Sequence, residues 1–164
     1  MSRKLKFNNP ECIYFISFAS VYWIDIFIRE IYFITLIDSL EYCQKNKGMT
    51  VYAYCIMPSH VHLIFKDRNA NPSKLIKEFK TFTSKQLQKE ILENMQESRR
   101  SWMIQMFEKA GRRNSNVKYR QIWQQNNHPI ELFSNTFIEQ KLDYIHNNPV
   151  EAGFVTEGRY WKYS

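Results

Sequence analysis

Glycine is scarce in this 164-residue chain, with 4 in all against 5 prolines, which excludes long flexible linkers and low-complexity tracts. The 3 cysteines are Cys12, Cys43 and Cys55. Their number is odd and no two stand at a C-x-x-C spacing, so buried free thiols are expected rather than a disulfide framework or a cysteine zinc site. No apolar run reaches the ~18 residues that a membrane span needs. The aromatic-rich stretch 22–37 comes nearest, but Asp25, Arg29 and Glu30 interrupt it. A soluble, cytoplasmic protein is the expectation.

Apolar residues make up 44% of the chain and aromatics 16%, enough to build one core. A single domain over residues 1–164 is expected. Lys and Arg outnumber Asp and Glu by 23 to 16. The segment Lys74–Arg120 holds twelve basic and five acidic residues, a surplus equal to that of the whole chain. Such clustering suits a polyanionic partner such as nucleic acid, and it equally suits a solvated helix face.

Hydrophobic spacing predicts a strand over Cys12–Ser20, apolar on both faces, and a helix from about Arg29 to Lys47 with Gly48 as its stop. Strands over Thr50–Met57 and His60–Lys66, joined at Pro58-Ser59, form a hairpin. Asn71-Pro72-Ser73 starts a basic helix running to about Met95, with a second piece over Arg99–Lys109. Residues Lys118–Gln124 suggest a strand and Gln125–Ser134 an irregular segment. A last helix begins at Ser134 or Asn135, and Asn148-Pro149 marks its end. This order predicts an α+β domain, an antiparallel sheet with helices packed on it.

Two segments carry chemistry. In Met57-Pro58-Ser59-His60-Val61-His62-Leu63-Ile64-Phe65, strand alternation puts His60 and His62 on one face, their roots about 7 Å apart. Imidazoles so placed can lean onto one divalent cation at about 2.0–2.2 Å. In Lys141-Leu142-Asp143-Tyr144-Ile145-His146-Asn147-Asn148-Pro149, Tyr144 and Asn148 are one helical turn apart. A tyrosine, with a pKa near 10, needs help to attack at neutral pH, and a cation held by His60, His62 and Asn148 can give it. Taken singly, a packed tyrosine and a helix-stopping Asn-Pro explain the same residues.

His60-Val61-His62 followed by Tyr144-Ile145-His146-Asn147-Asn148-Pro149-Val150 resembles the REP-associated tyrosine transposases, single-strand DNA transposases of the HUH superfamily. Ala53-Tyr54-Cys55-Ile56-Met57, Phe82-Thr83-Ser84-Lys85 and Ile122-Trp123-Gln124-Gln125 carry the resemblance along most of the chain. It implies a ferredoxin-like HUH fold and cleavage of single-stranded DNA beside a hairpin. It further implies His60 and His62 as the metal-binding pair, Tyr144 as the nucleophile forming a 5′-phosphotyrosine, and Asn148 as a further ligand to Mg2+ or Mn2+. Similar proteins occur as homodimers and as monomers, and association with the nucleoid follows from DNA binding. Lys77, Lys80 and Lys85 are the expected DNA-backbone contacts; Trp123 suits the core better than base stacking. The sequence departs from many relatives at Asn126-Asn127-His128-Pro129, where aromatics are usual. Two other functions remain open: a hairpin-binding protein that no longer cuts, and a metal-dependent phosphodiesterase in which water attacks.

Overall fold

The computed structural model describes residues 6–164; residues 1–5 of the expected domain lie outside that range. Four strands, β1 (Ile13–Ala19), β2 (Met49–Ile56), β3 (His60–Asp67) and β4 (Ile130–Leu132), form one antiparallel sheet in the order β2-β3-β1-β4. Among the described residues four α-helices flank it: α1 (Glu30–Asn46), α2 (Pro72–Glu93), α3 (Arg100–Arg112) and α4 (Asn135–Glu151). The β1-α1-β2-β3-α2 run and this strand order are those of a ferredoxin-like sheet, as expected.

Alternation along β1 and β3 sorts side chains into two layers. Tyr14, Ile16 and Phe18 join Val61, Leu63 and Phe65 beneath α1 and α2, in a core with Leu36, Phe79 and Phe107. Phe15, Ile64, Cys55, Met57 and Leu132 pack on the opposite face with Ile145 of α4. β1 is central and covered on both sides, which explains its apolar run. Each large side chain so buried contributes about 1.5–3 kcal/mol, and most of that lies in the α1/α2 layer.

The helix ends follow local chemistry. Asn71 Oδ1 accepts from Lys74 N at 3.2 Å with Pro72 in the first turn, and Ser134 Oγ accepts from Phe137 N at 3.2 Å. Where the sequence predicts a stop at Asn148-Pro149, the helix continues to Glu151. Pro149 costs α4 one hydrogen bond, but it is buried, and the real terminus lies beyond it. Gly153 has φ +79, and Gly153 N and Phe154 N donate back to Val150 O and Pro149 O, a Schellman closure.

The expected strand over Lys118–Gln124 is replaced by a single bridge, Ser20 to Trp123, and the fourth strand falls inside the stretch expected to be irregular. Residues 122–132 all follow the β1 edge: Gln124 N donates to Ala19 O, Ser17 N to Asn127 O, and β4 completes the ladder. Pro129 has no N–H to donate and His128 has φ +44, so regular pairing begins only at Ile130. Ile122 and Trp123 look strand-like because they are core residues, with Trp123 Nε1 donating to buried Thr83 Oγ1 at 3.0 Å. Cys43 and Cys55 are buried free thiols and Cys12 is half-buried. Among the described residues no helix is long and apolar enough to cross a membrane.

Candidate active site

β3 leaves the Pro58-Ser59 turn with its direction already fixed, because Ser59 O accepts from Ser20 N at 2.8 Å and Pro58 O from Phe27 N at 2.9 Å. In register, His62 lies opposite Ser17 on β1 and Cys55 on β2, while His60 lies opposite Ala19. Both histidines face α4, whose residue Tyr144 comes down over them.

The result is a row of rings. The centroids of His60 and His62 are 4.9 Å apart, and Tyr144 lies 5.2 Å from His62, edge to face. Phe15 stacks on His62 at 5.7 Å and meets the Tyr144 ring edge-on at 5.9 Å. At the other end Trp23 contacts His60 at 5.6 Å. His62 is 3% exposed and Tyr144 42%, so the imidazole is enclosed while the phenol reaches solvent.

Among the described residues neither ring nitrogen of His62 has a hydrogen-bond partner. Burial, then the neighbouring His60, pushes its pKa down to about 3; the nearby Asn148 side chain opposes this, and Lys141 adds to it. Burial also lowers His60, against Asn148 and Asp25. Asn148 is therefore close enough to both imidazoles to influence them, though it makes no well-formed bond to His62. Two unpartnered nitrogens on an enclosed neutral imidazole are costly unless something occupies them. A divalent cation fits: two imidazoles and an amide oxygen supply nitrogen and oxygen ligands. Among the described residues no cluster of three or more His, Cys, Asp and Glu offers it another place.

The structure thus brings His60, His62, Tyr144 and Asn148 together. It does not bring the three lysines to them. Lys77 and Lys85 are exposed on α2 and line a groove of about 970 Å3 between α1 and α2, in the layer across the sheet. Lys80 turns inward. Its ammonium donates to Gln124 O at 2.7 Å and Asn127 Oδ1 at 2.6 Å, tying the β1-edge loop to α2, and burial lowers its pKa to about 7.

The cation that does reach the site is Lys141, one turn before Tyr144. Its Nζ lies 4.8 Å from the Phe15 ring centroid, 5.4 Å from Tyr144 and 5.9 Å from Phe137. The i, i+3 spacing to Tyr144 was its only signal in the sequence. Trp23 had none, since a loop residue has no periodicity to reveal its neighbours.

Residues 10–109 match the family described as IS200-like transposases. A Haemophilus influenzae protein named as a REP-associated tyrosine transposase is 30% identical over 126 residues, which cover 74% of this chain. The match spans 61% of that relative's own length. A REP-associated tyrosine transposase solved in complex with a REP hairpin superposes with a TM-score of 0.70 at 15% identity, over 99% of this chain and 81% of that one. A Deinococcus radiodurans protein described as a transposase gives 0.52 at 16% identity, over 90% and 95%. The chain belongs to the IS200-like transposase family and has the fold of the REP-associated branch that its sequence resembles.

Proposed function

We propose that this protein is a metal-dependent single-strand DNA nickase and strand transferase that cuts beside a DNA hairpin. The observation that carries this reading is Tyr144 resting 5.2 Å from an enclosed imidazole whose two nitrogens are unpartnered. Tyr144 is partly exposed there, so a strand can reach it. The hairpin substrate is inferred from the solved relative, which is bound to one.

His60, His62 and Asn148 would hold Mg2+ or Mn2+, with imidazole ligation favouring Mn2+. The cation supplies polarisation of the scissile phosphate and offsets its developing charge. Tyr144 supplies the nucleophile. Its oxygen attacks phosphorus, the bond to the 3′ oxygen breaks, and the phenol proton is lost as the departing 3′ oxygen gains one. A 5′-phosphotyrosine and a free 3′-hydroxyl result, so the bond energy is retained for rejoining. Lys141, held over Phe15 and Tyr144, adds positive charge where the phosphodiester must lie. Phe15, stacked on His62, fixes that ring's orientation against the sheet.

The test is a labelled hairpin with a single-stranded tail, incubated with Mn2+ and run on a denaturing gel. The wild-type protein should become covalently attached, and Tyr144→Phe should bind the DNA yet leave it intact. Cleaved strands with no adduct in a single turnover would instead indicate attack by water. Binding without cleavage by either protein would indicate a hairpin binder that no longer cuts.

A further inference from the structure

The far end of the ring row is built at a cost that the proposed chemistry does not explain. Tyr22 and Trp23, in the short turn after β1, both adopt left-handed backbone conformations, with φ +55 and +54. For two consecutive bulky residues this is rare, because the side chain crowds the following carbonyl oxygen. The turn is held by its neighbours: Ser20 Oγ donates to Ile24 O at 2.7 Å, Val21 N to Ile122 O at 2.7 Å and Ser20 N to Ser59 O at 2.8 Å.

What this rigid turn achieves is exposure. Trp23 is 60% and Tyr22 41% exposed, whereas Val21 and Ile24 on either side are buried. The indole and the His60 imidazole meet edge to face, ring centroids 5.6 Å apart and planes at 71°. A large aromatic surface is thus fixed in water beside a candidate phosphate-cleaving centre. Trp123, the tryptophan expected in the core, is 5% exposed and stacked on Phe27, so it has no free face to offer.

We propose that Trp23 is a stacking platform for an unpaired base of the DNA strand, next to the scissile phosphate or one nucleotide removed from it. An indole face is the right surface for a flat apolar ring, and base–aromatic stacking tolerates any base. Its place across the histidines from Tyr144 puts the base on one flank of the reacting phosphate and the nucleophile on the other. Strand positioning then comes from Trp23, and bond breaking from Tyr144. The proposal rests on the reading that a single strand crosses this site.

The experiment uses the hairpin with its tail and measures equilibrium binding in the Tyr144→Phe background, so that cleavage does not intervene. Trp23→Ala should weaken binding about 10- to 100-fold, and Trp23→Phe should recover most of it. An abasic residue is then walked along the tail. At one position it should weaken the parent by a similar factor and cost Trp23→Ala nothing more, a coupling that a merely structural tryptophan would not produce. Should Trp23→Ala fail to fold, Trp23→Leu serves the same comparison. Binding by Trp23→Ala within twofold of the parent, or losses that simply add at every abasic position, overturns the platform. An adduct formed by wild type without this coupling removes the platform and keeps the nickase; coupling without an adduct does the reverse.

Discussion

His62 is an ionisable side chain held neutral by its surroundings. It is enclosed between Phe15, His60 and Tyr144, and its pKa lies at about 3 against an ordinary 6.5. In the unfolded chain the same imidazole takes up a proton near pH 6.5. Between these values only the unfolded state is protonated, so stability falls as pH drops from about 6.5 towards 3, by about 1.4 kcal/mol per pH unit for one proton. Urea denaturation of the metal-free protein at pH 7, 6, 5 and 4 should show this slope, and His62→Gln should flatten it by one proton's worth. An unchanged slope would mean that the imidazole is protonated in place. Neutrality has a second effect, since only an unprotonated nitrogen can ligate a metal.

At the scale of elements, α4 matters most, because it carries both Tyr144 and Asn148 and runs on through Pro149. The Schellman closure at Gly153 is what ends it. A Cβ at Gly153 would meet nothing within 4 Å, so Gly153→Ala should cost only the left-handed backbone penalty, about 1–2 kcal/mol by thermal or urea unfolding. A much larger loss would reveal packing that the backbone account omits. The same element shows where a sequence can be read and where it cannot. His60 and His62 declared their common face by alternation, and Ser134 declared a cap, because both signals are local. Pro149 misled as a helix stop, since nothing nearby says that it is buried. Residues 118–124 looked like a strand for a tertiary reason, as Ile122 and Trp123 fill the space under α2 and α3, while β4 is a three-residue edge with too little pattern to detect. Lys80 sat on the right helical stripe, but only the fold reveals that the loop at Gln124 and Asn127 takes its ammonium.

Taken whole, under the proposed function the molecule separates attraction from chemistry. Lys77 and Lys85 lie in the layer across the sheet from Tyr144, so a role for them is in the long-range field. Lys77→Gln with Lys85→Gln should slow association with the oligonucleotide at low salt, a difference that fades as salt shortens the Debye length towards about 3 Å at 1 M. Persistence of the defect in high salt would point to direct contacts instead. The body that carries both faces is tied by an ionic knot around one buried carboxylate: Glu97 binds the partly exposed Arg29 at 2.9 Å and Arg99 at 3.0 Å and accepts from Tyr32. Burial would raise its carboxyl, but Arg99 and then Arg29 hold it down at about 2. Glu97→Gln leaves two partly exposed arginines without their counter-ion and should cost about 1–3 kcal/mol in urea titration.

The phenol and the amide of Asn148 ride on one rod, a single turn apart, whereas both imidazoles are woven into the sheet. Only one coordinate, the gap between rod and sheet, therefore governs the centre. Under the proposed function, whatever lifts α4 would withdraw the phenol of Tyr144 and the amide of Asn148 in the same stroke, so the centre would be wholly assembled or wholly apart.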